Sequence, residues 1–377
     1  MQKSALVIGA GIVGLSIARA LALHNYKVTV IERNEKAVGA SIRNFGMVLP
    51  AAHPDGILYN RAMRSRNIWK EICTEAKIWH DEVGSLQLAY ASDEWTVLNE
   101  LHEIYQGRGY KLLNKNETLT ASPSVSSKGL LGSLFSKDEI IIDPREAISK
   151  IPLWLEEKFN VKFIWGKAIS HIEYPVAFAG NESFEADEIF ICSGTDFETL
   201  YPDVFANAHI TKCKLQMMRF VSQPNNWRLG PMLCAGLSLI NYSSFSAAPS
   251  INILKKRIQN ECPEHIKWGI HVMVSQHELG ELCIGDSHEY GLTHDPFDRM
   301  TINNLILDYL KNFIQFKDMQ ICETWNGLYS KMTHGETEFI HKPQQGITII
   351  NGMGGAGMTL SFGLAEELVN GNIGINN

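Results

Sequence analysis

Residues 4–33 read S-A-L-V-I-G-A-G-I-V-G-L-S-I-A-R-A-L-A-L-H-N-Y-K-V-T-V-I-E-R. The apolar run Ala5–Ile8 is long enough for one buried strand. Gly9, Gly11 and Gly14 follow in the spacing Gly-x-Gly-x-x-Gly, then a helical pattern over Leu15–Leu23 and a β-branched run over Val28–Ile31 that Glu32 closes. The first glycine permits a tight turn, the second lets a pyrophosphate approach bare backbone, and the third lets the helix pack closely on the strand. The helix start at Ile12 and Val13 offers free N–H groups and a partial positive charge to phosphates. Glu32, beside Arg33, lies about twenty residues beyond the first glycines and suits the two hydroxyls of an adenosine ribose. A 2′-phosphate would be repelled there. The pattern predicts a dinucleotide-binding βαβ unit. The alternative is a glycine cluster that serves only to pack such a unit.

A chain of 377 residues suffices for two domains or one large one. The formal charge of -7 and the absence of a basic stripe argue against a nucleic-acid surface. Lys3 followed by an apolar stretch imitates a signal peptide, but the phosphate-binding glycine spacing and Glu32 speak against a cleaved leader, and Arg19 interrupts any spanning helix. No membrane insertion is expected. The 7 cysteines form no Cys-x-x-Cys pair, which fits reduced thiols in a cytoplasmic protein. The 13 histidines show no helical ligand spacing, so no metal is expected.

Further along, Gly39–Pro50 is a glycine-rich loop running into apolar residues, able to lie on a cofactor through Ser41 and backbone N–H groups. Residues 60–76 repeat at helical spacing, with Arg61, Arg64, Arg66 and Lys70 read as a solvated face. Thr118–Ser127 reads as polar and turn-rich, Gly129–Ile142 as a hairpin or two strands, and Asp143-Pro144-Arg145 as a helix start. Glu188–Cys192 reads as a strand ending on Ser193-Gly194, where backbone can approach a nucleotide. Residues 210–291 look mostly strand-like. Near the end, Gly352–Leu360 (G-M-G-G-A-G-M-T-L) is a second glycine-rich strand-to-helix turn, placing another helix N-terminus at a cofactor.

Together the glycine triplet, G-A-S-I-R-N-F-G-M (39–47), I-C-S-G-T (191–195) and G-M-G-G-A-G-M-T-L (352–360) resemble the D-amino-acid oxidase superfamily of flavoproteins, which includes glycine and sarcosine oxidases. R-N-F-G-M and L-C-I-G-D-S-H-E-Y-G (282–291) are similar to a bacterial branch linked to aminophosphonate degradation. The resemblance implies an α/β protein with noncovalent FAD. It implies a glutathione-reductase-like, Rossmann-type FAD domain built from 1–50, 140–205 and 323–377. The substrate domain, a mixed and largely antiparallel sheet, would comprise 51–139 and 206–322. It assigns Gly9, Gly11, Ile12, Val13 and Gly14 to the pyrophosphate, and Glu32 and Arg33 to the ribose side. Ala40, Ser41, Asn44, Phe45, Gly46 and Met47 would line pyrophosphate and isoalloxazine. Ala168 would place backbone near adenine, with Ser193 and Gly194 at the strand end. Gly354, Gly355, Ala356, Gly357, Met358 and Thr359 would face the flavin pyrimidine edge.

This sequence departs from the family in three places. Gly327 stands where sarcosine oxidases carry a flavin-linked cysteine. Tyr329, Ser330 and Lys331 stand where a carboxylate-binding arginine is expected, and a lysine point charge also suits a tetrahedral anion. Cys283 aligns with a lysine that speeds reaction with oxygen in sarcosine oxidases, which implies a poor oxidase that hands electrons to another acceptor; oxygen or another electron acceptor is the expected partner. The resemblance implies oxidation of a C–N bond in a small anionic amine, an N-methyl amino acid or aminoalkylphosphonate, by hydride transfer to flavin N5. Tyr329 is the candidate catalytic contact, and Arg43, His53, His271, His288 and Lys331 are candidate substrate contacts. A 2-hydroxy acid oxidase or dehydrogenase, and a flavin-binding accessory protein without turnover, remain alternatives.

Overall fold

The computed structural model describes residues 2–372. The opening run forms strand β1 (Ser4–Ile8), helix α1 (Ile12–Leu23) and strand β2 (Lys27–Glu32). β1 and β2 sit inside a six-stranded sheet whose order is Phe339–Gln344, Ile347–Asn351, Glu188–Ile191, β1, β2, Lys162–Trp165. Every neighbour is parallel except the edge strand Phe339–Gln344. A parallel strand covered on both faces needs an unbroken apolar run rather than alternation, which is what Ala5–Ile8 supplies. One face packs on α1, on the helix Ile57–Glu75, on Pro144–Phe159 and on the final helix Gly357–Val369. The other face is covered by a three-stranded antiparallel sheet, 171–185, and by Phe197, Leu200 and Phe205.

A second, nine-stranded sheet is mostly antiparallel. Its longest pair is Ile210–Phe220 against Ile321–Met332. Alternation sets its two faces. Cys213, Leu215 and Met217 point toward the first sheet, whereas Met218 and Phe220 point into a core closed by the helices Ser92–Ile104, Ile251–Glu261 and Met300–Leu310. Ile321–Met332 therefore belongs by pairing to this second sheet, although its residues from 323 onward were expected in the FAD domain. Its long antiparallel register outweighs its position beside the C-terminal segment.

Two further stretches differ from the sequence reading, and a third decides between its alternatives. Within 118–127 the chain continues a helix, Lys115–Ala121, started by a reciprocal cap in which Asn114 accepts from the N–H groups of Asn116 and Glu117 and Glu117 accepts from Asn114 N–H. Gly129–Ile142 takes the second of its two readings: Gly132–Ser136 and Ile140–Ile142 are two separate strands, the first in the large sheet, the second in a small one with Met47–Val48 and His80–Asp81. The 210–291 region includes the helices Ile251–Glu261 and Pro263–Lys267, the first burying Ile251, Leu254 and Ile258 at helical spacing.

Arg61 is not on a solvated face. It is buried and ion-paired to Glu338 and Glu367 at 2.8 Å each, tying its helix to the C-terminal one. Trp69 reinforces that tie, donating its indole N–H to the Met358 carbonyl at 2.7 Å. All 7 cysteines are free thiols. Among the described residues no helix is long and apolar enough to cross a membrane.

Candidate active site

A cavity of about 860 Å³ runs between the two sheets, from Glu32 and Lys167 at one end to Tyr242 and His271 at the other. Two glycine-rich turns border it. At the first, Gly9 has φ +104°, and a Cβ there would lie 2.4 Å from the Cys192 carbonyl oxygen. A Cβ on Gly14 would lie 1.9 Å from the Gly9 carbonyl oxygen, so Gly14 serves helix-on-strand packing and does not line the cavity. Gly11 does line it, and a Cβ there would point toward Ser41 Oγ at 3.2 Å. Ser41 Oγ accepts the Ile12 N–H at 2.9 Å, so the 40–47 loop is seated on the α1 N-terminus. With the Ile12 N–H taken by Ser41, Val13 presents a remaining first-turn N–H group at the cavity wall, which Ile12 also lines.

Glu32 is buried and doubly oriented. Its Oε2 accepts the Ala10 N–H at 2.9 Å and its Oε1 the Asn34 N–H at 3.1 Å. Oε1 also accepts from Asn34 Nδ2 at 3.3 Å, which fills its two lone-pair directions, so Oε2 is the oxygen that keeps acceptor capacity toward the cavity. Arg33 lines the same end, paired with Asp196. Ser193 and Gly194 complete this end. Ala168 does not line it: its side chain is exposed, and its neighbours Lys167 and Ile169 form the wall instead, because Lys167 N–H pairs with the Glu32 carbonyl at 3.0 Å.

The second turn, Gly354, Gly355, Ala356, Gly357, Met358 and Thr359, lines the middle. It is held against the long strand by a backbone bridge between Lys331 and Met353, and against the 47–50 segment by Leu49 N–H donating to Thr359 Oγ1 at 3.0 Å. Ala40, Ser41, Arg43, Asn44, Phe45 and Met47 face it from across the cavity. Gly46 lies behind them, its Cβ position only 2.0 Å from the Ile142 carbonyl oxygen. Gly327 lines the cavity, and a Cβ there would meet the Arg43 carbonyl oxygen at 3.2 Å, so loop and strand touch where a larger residue would push them apart. Cys283 is fully buried behind the cavity wall, its Sγ 4.0 Å from the Asn44 carbonyl.

The far end gathers the remaining candidates. Tyr329 and Lys331 share one face of the strand and both line the cavity. Lys331 Nζ lies 3.0 Å from Tyr290 Oη, and Tyr329 is nearly inaccessible, with burial holding its hydroxyl protonated well above the ordinary range. His53 lines the wall near Ala52; burial, then the Arg108 and Arg61 guanidinium groups, pull it down to about 4.

His271 and His288 stack with ring centroids 5.1 Å apart, and Asp286, which sequence reading passed over, sits against both. Its Oδ1 is 3.1 Å from His271 Nε2 and its Oδ2 3.6 Å from His288 Nε2. Helical spacing could not find this group, because strand pairing assembles it. His271 N–H donates to the Asp286 carbonyl at 3.3 Å and Asp286 N–H to the His271 carbonyl at 3.0 Å, across two antiparallel strand ends. His288 Nδ1 lies 2.7 Å from the Gly269 carbonyl, which fixes the proton on Nδ1 and leaves Nε2 as a lone pair facing inward. Burial raises the Asp286 carboxyl well above its usual range, lowers His271 and brings His288 to about 4, so the three resist carrying charge.

The FAD dependent oxidoreductase family model DAO matches residues 4–370. A glycerol 3-phosphate dehydrogenase of Caloramator mitchellensis is 31% identical over 146 residues, 37% of this chain and 30% of that protein. A glycine oxidase of Bacillus licheniformis is 29% identical over 147 residues, 37% of this chain and 39% of that one. The chain thus spans well under two thirds of these relatives. The L-proline dehydrogenase structure from P. horikoshii superposes with a TM-score of 0.78 at 20% identity, covering 99% of this chain and 94% of that one, which establishes the shared fold. With its two glycine turns, its doubly oriented Glu32 and a family match along nearly the whole length, this chain belongs to the DAO family of FAD-dependent oxidoreductases.

Proposed function

We propose that this protein oxidises a C–N bond of a small anionic amine, an N-methyl amino acid or an aminoalkylphosphonate, using noncovalently held FAD. Gly11 and Val13 would hold the pyrophosphate through backbone N–H groups and Ser41 through its hydroxyl, with Gly9 and Ile12, whose own N–H groups are paired to Ile31 and Ser41, shaping the turn around it. Glu32 would take the ribose hydroxyls, and the 354–359 turn would meet the flavin ring edge. Bound FAD supplies a hydride acceptor for the substrate C–H, after which the imine product hydrolyses. Gly327, pressed against the Arg43 backbone, leaves no side chain there for a covalent link.

The observation that carries this reading is the lysine at the far end. Lys331 Nζ faces the cavity beside Tyr290 Oη at 3.0 Å, a point charge with a hydroxyl partner suited to a carboxylate or phosphonate. Tyr329 stands two residues away as a substrate contact, and Arg43 lines the loop side. Leu215, Met217 and Met273 wall the space with apolar surface and keep water out. Glycine oxidase and L-proline dehydrogenase, by name, act on amino acids. The similarity to a glycerol 3-phosphate dehydrogenase favours the rival reading, oxidation of a hydroxyl carbon in an anionic substrate.

Anaerobic mixing separates the two. N-methyl amino acids or aminoalkylphosphonates should bleach the flavin where 2-hydroxy acids do not. Lys331→Met should lower kcat/KM for these anionic amines by about 10²-fold, roughly the 2–3 kcal/mol of a charge-assisted contact. Bleaching by hydroxy acids alone would establish the rival. A flavin that neither class reduces would indicate an accessory role. Admitting air to the reduced protein then tells whether oxygen or another acceptor takes the electrons.

A further inference from the structure

We infer that Asp286, held against the stacked His271 and His288, is the base that takes the proton from the substrate's ammonium group before oxidation. The inference rests on the amine reading above and goes beyond it by giving a residue and an atom to the deprotonation. An amine in water near pH 7 is mostly ammonium, which has no nitrogen lone pair to push out a hydride. Something must remove that proton inside a closed cavity. Asp286 is the carboxylate at the substrate end of the wall, 5% exposed, and its Oδ1 makes no geometrically sound hydrogen bond.

The carboxylate is well placed. His288, with its proton fixed on Nδ1 by the Gly269 carbonyl, turns a lone pair toward Asp286 and cannot compete as a donor. His271, stacked on His288, puts its Nε2 3.1 Å from the other carboxylate oxygen and restricts where the carboxylate can turn. The other groups facing Asp286 stay neutral: burial keeps Tyr242, Tyr329, Cys213 and Cys283 in their protonated forms. The Lys331 ammonium, which acts on both imidazoles, is the cation on this side, and a bound substrate anion would neutralise it. Because burial makes Asp286 reluctant to ionise, its ionised form, present above the acid limb, is a strong base, and with the lysine charge matched it meets one positive group, the substrate nitrogen. Transfer breaks an N–H bond and forms an O–H bond: ammonium and carboxylate become free amine and carboxylic acid, and no oxidant is consumed. Burial then favours the neutral products.

The test is the pH dependence of anaerobic flavin reduction in FAD-loaded protein. Asp286→Asn should slow reduction at pH 7 by about 10²-fold or more, the usual scale of a positioned base. Its rate should then climb about tenfold per pH unit toward the amine's own pKa, because only free amine from solution reacts. In the unaltered protein the acid limb should stay at one pH for amines of different basicity, since it belongs to the enzyme. That measurement stands even if the variant fails to load flavin. A wild-type limb that tracks each amine's pKa would overturn the assignment while leaving amine oxidation intact, as would an Asp286→Asn variant with the wild-type profile or with a loss that high pH does not restore. Absence of reduction by any amine at any pH would overturn both.

Discussion

Buried imidazoles shape how this protein responds to acid, His53 among them. His53 is held at about 4, chiefly by burial and then by Arg108 and Arg61, against 6.5 in an unfolded chain. As pH falls the unfolded chain binds the proton first, so the contribution is complete above about 6.5 and is lost between there and about 4. The size is on the order of 3 kcal/mol across the full window. His288, also near 4, acts with the same sign. Urea unfolding at fixed FAD concentration should show stability dropping from pH 7 to 4.5, and His53→Gln should reduce that drop by about 2 kcal/mol. An unchanged slope in His53→Gln would mean that His53 already titrates normally in the fold. Residues of this kind were legible in sequence only as candidates. A lone histidine carries no sign of the two arginines that the fold sets beside it, one of them first read as solvated.

At the scale of the element, the opening βαβ unit was the most legible part of the molecule, because each of its glycines answers a local steric demand. The structure separates those demands. A methyl on Gly14 would run into the Gly9 carbonyl oxygen at 1.9 Å, backbone against backbone. A methyl on Gly11 would meet only the Ser41 hydroxyl at 3.2 Å and would project into the cavity. Gly11→Ala should therefore leave the melting temperature of the flavin-free protein within about 1 °C while weakening FAD binding more than tenfold; the steric demand falls on the ligand alone. Gly14→Ala should lower the melting temperature of the flavin-free protein itself, since α1 must lift off β1. Thermal melts and flavin titrations of both variants check this. Equal destabilisation by the two would show that Gly11 also packs the unit. Legibility fell wherever an element depends on distant partners. The cap at Asn114 and Glu117 was local and could have been found from its Asn-x-x-Glu spacing. That Gly132–Ser136 and Ile140–Ile142 enter different sheets could not, since nothing in either run states its neighbour.

For the whole molecule, the far end of the cavity shows why function is harder to read than fold. His271, Asp286 and His288 come from strand ends that pair across a turn, and Lys331 and Tyr329 arrive from a strand forty residues further on, about the separation over which sequence patterns carry no contact information. The same interleaving governs how the protein unfolds. The chain passes between the two sheets at 32–85, 136–162, 191–210 and 332–339, and Ile321–Met332 pairs with one sheet while its Lys331 backbone bridges to the turn that leaves the other. Neither sheet can lose its strands without pulling on the other, so calorimetry should find one transition with and without flavin. FAD held in the cavity would contact both sides of it, so saturating it should raise the midpoint by RT ln(1 + [L]/Kd), about 2.7 kcal/mol at a hundredfold excess over Kd, which is a few degrees for a chain of this size. Splitting into two transitions on flavin removal would show that the sheets are independent units joined by the cofactor, and that the repeated crossings carry little of the cooperativity.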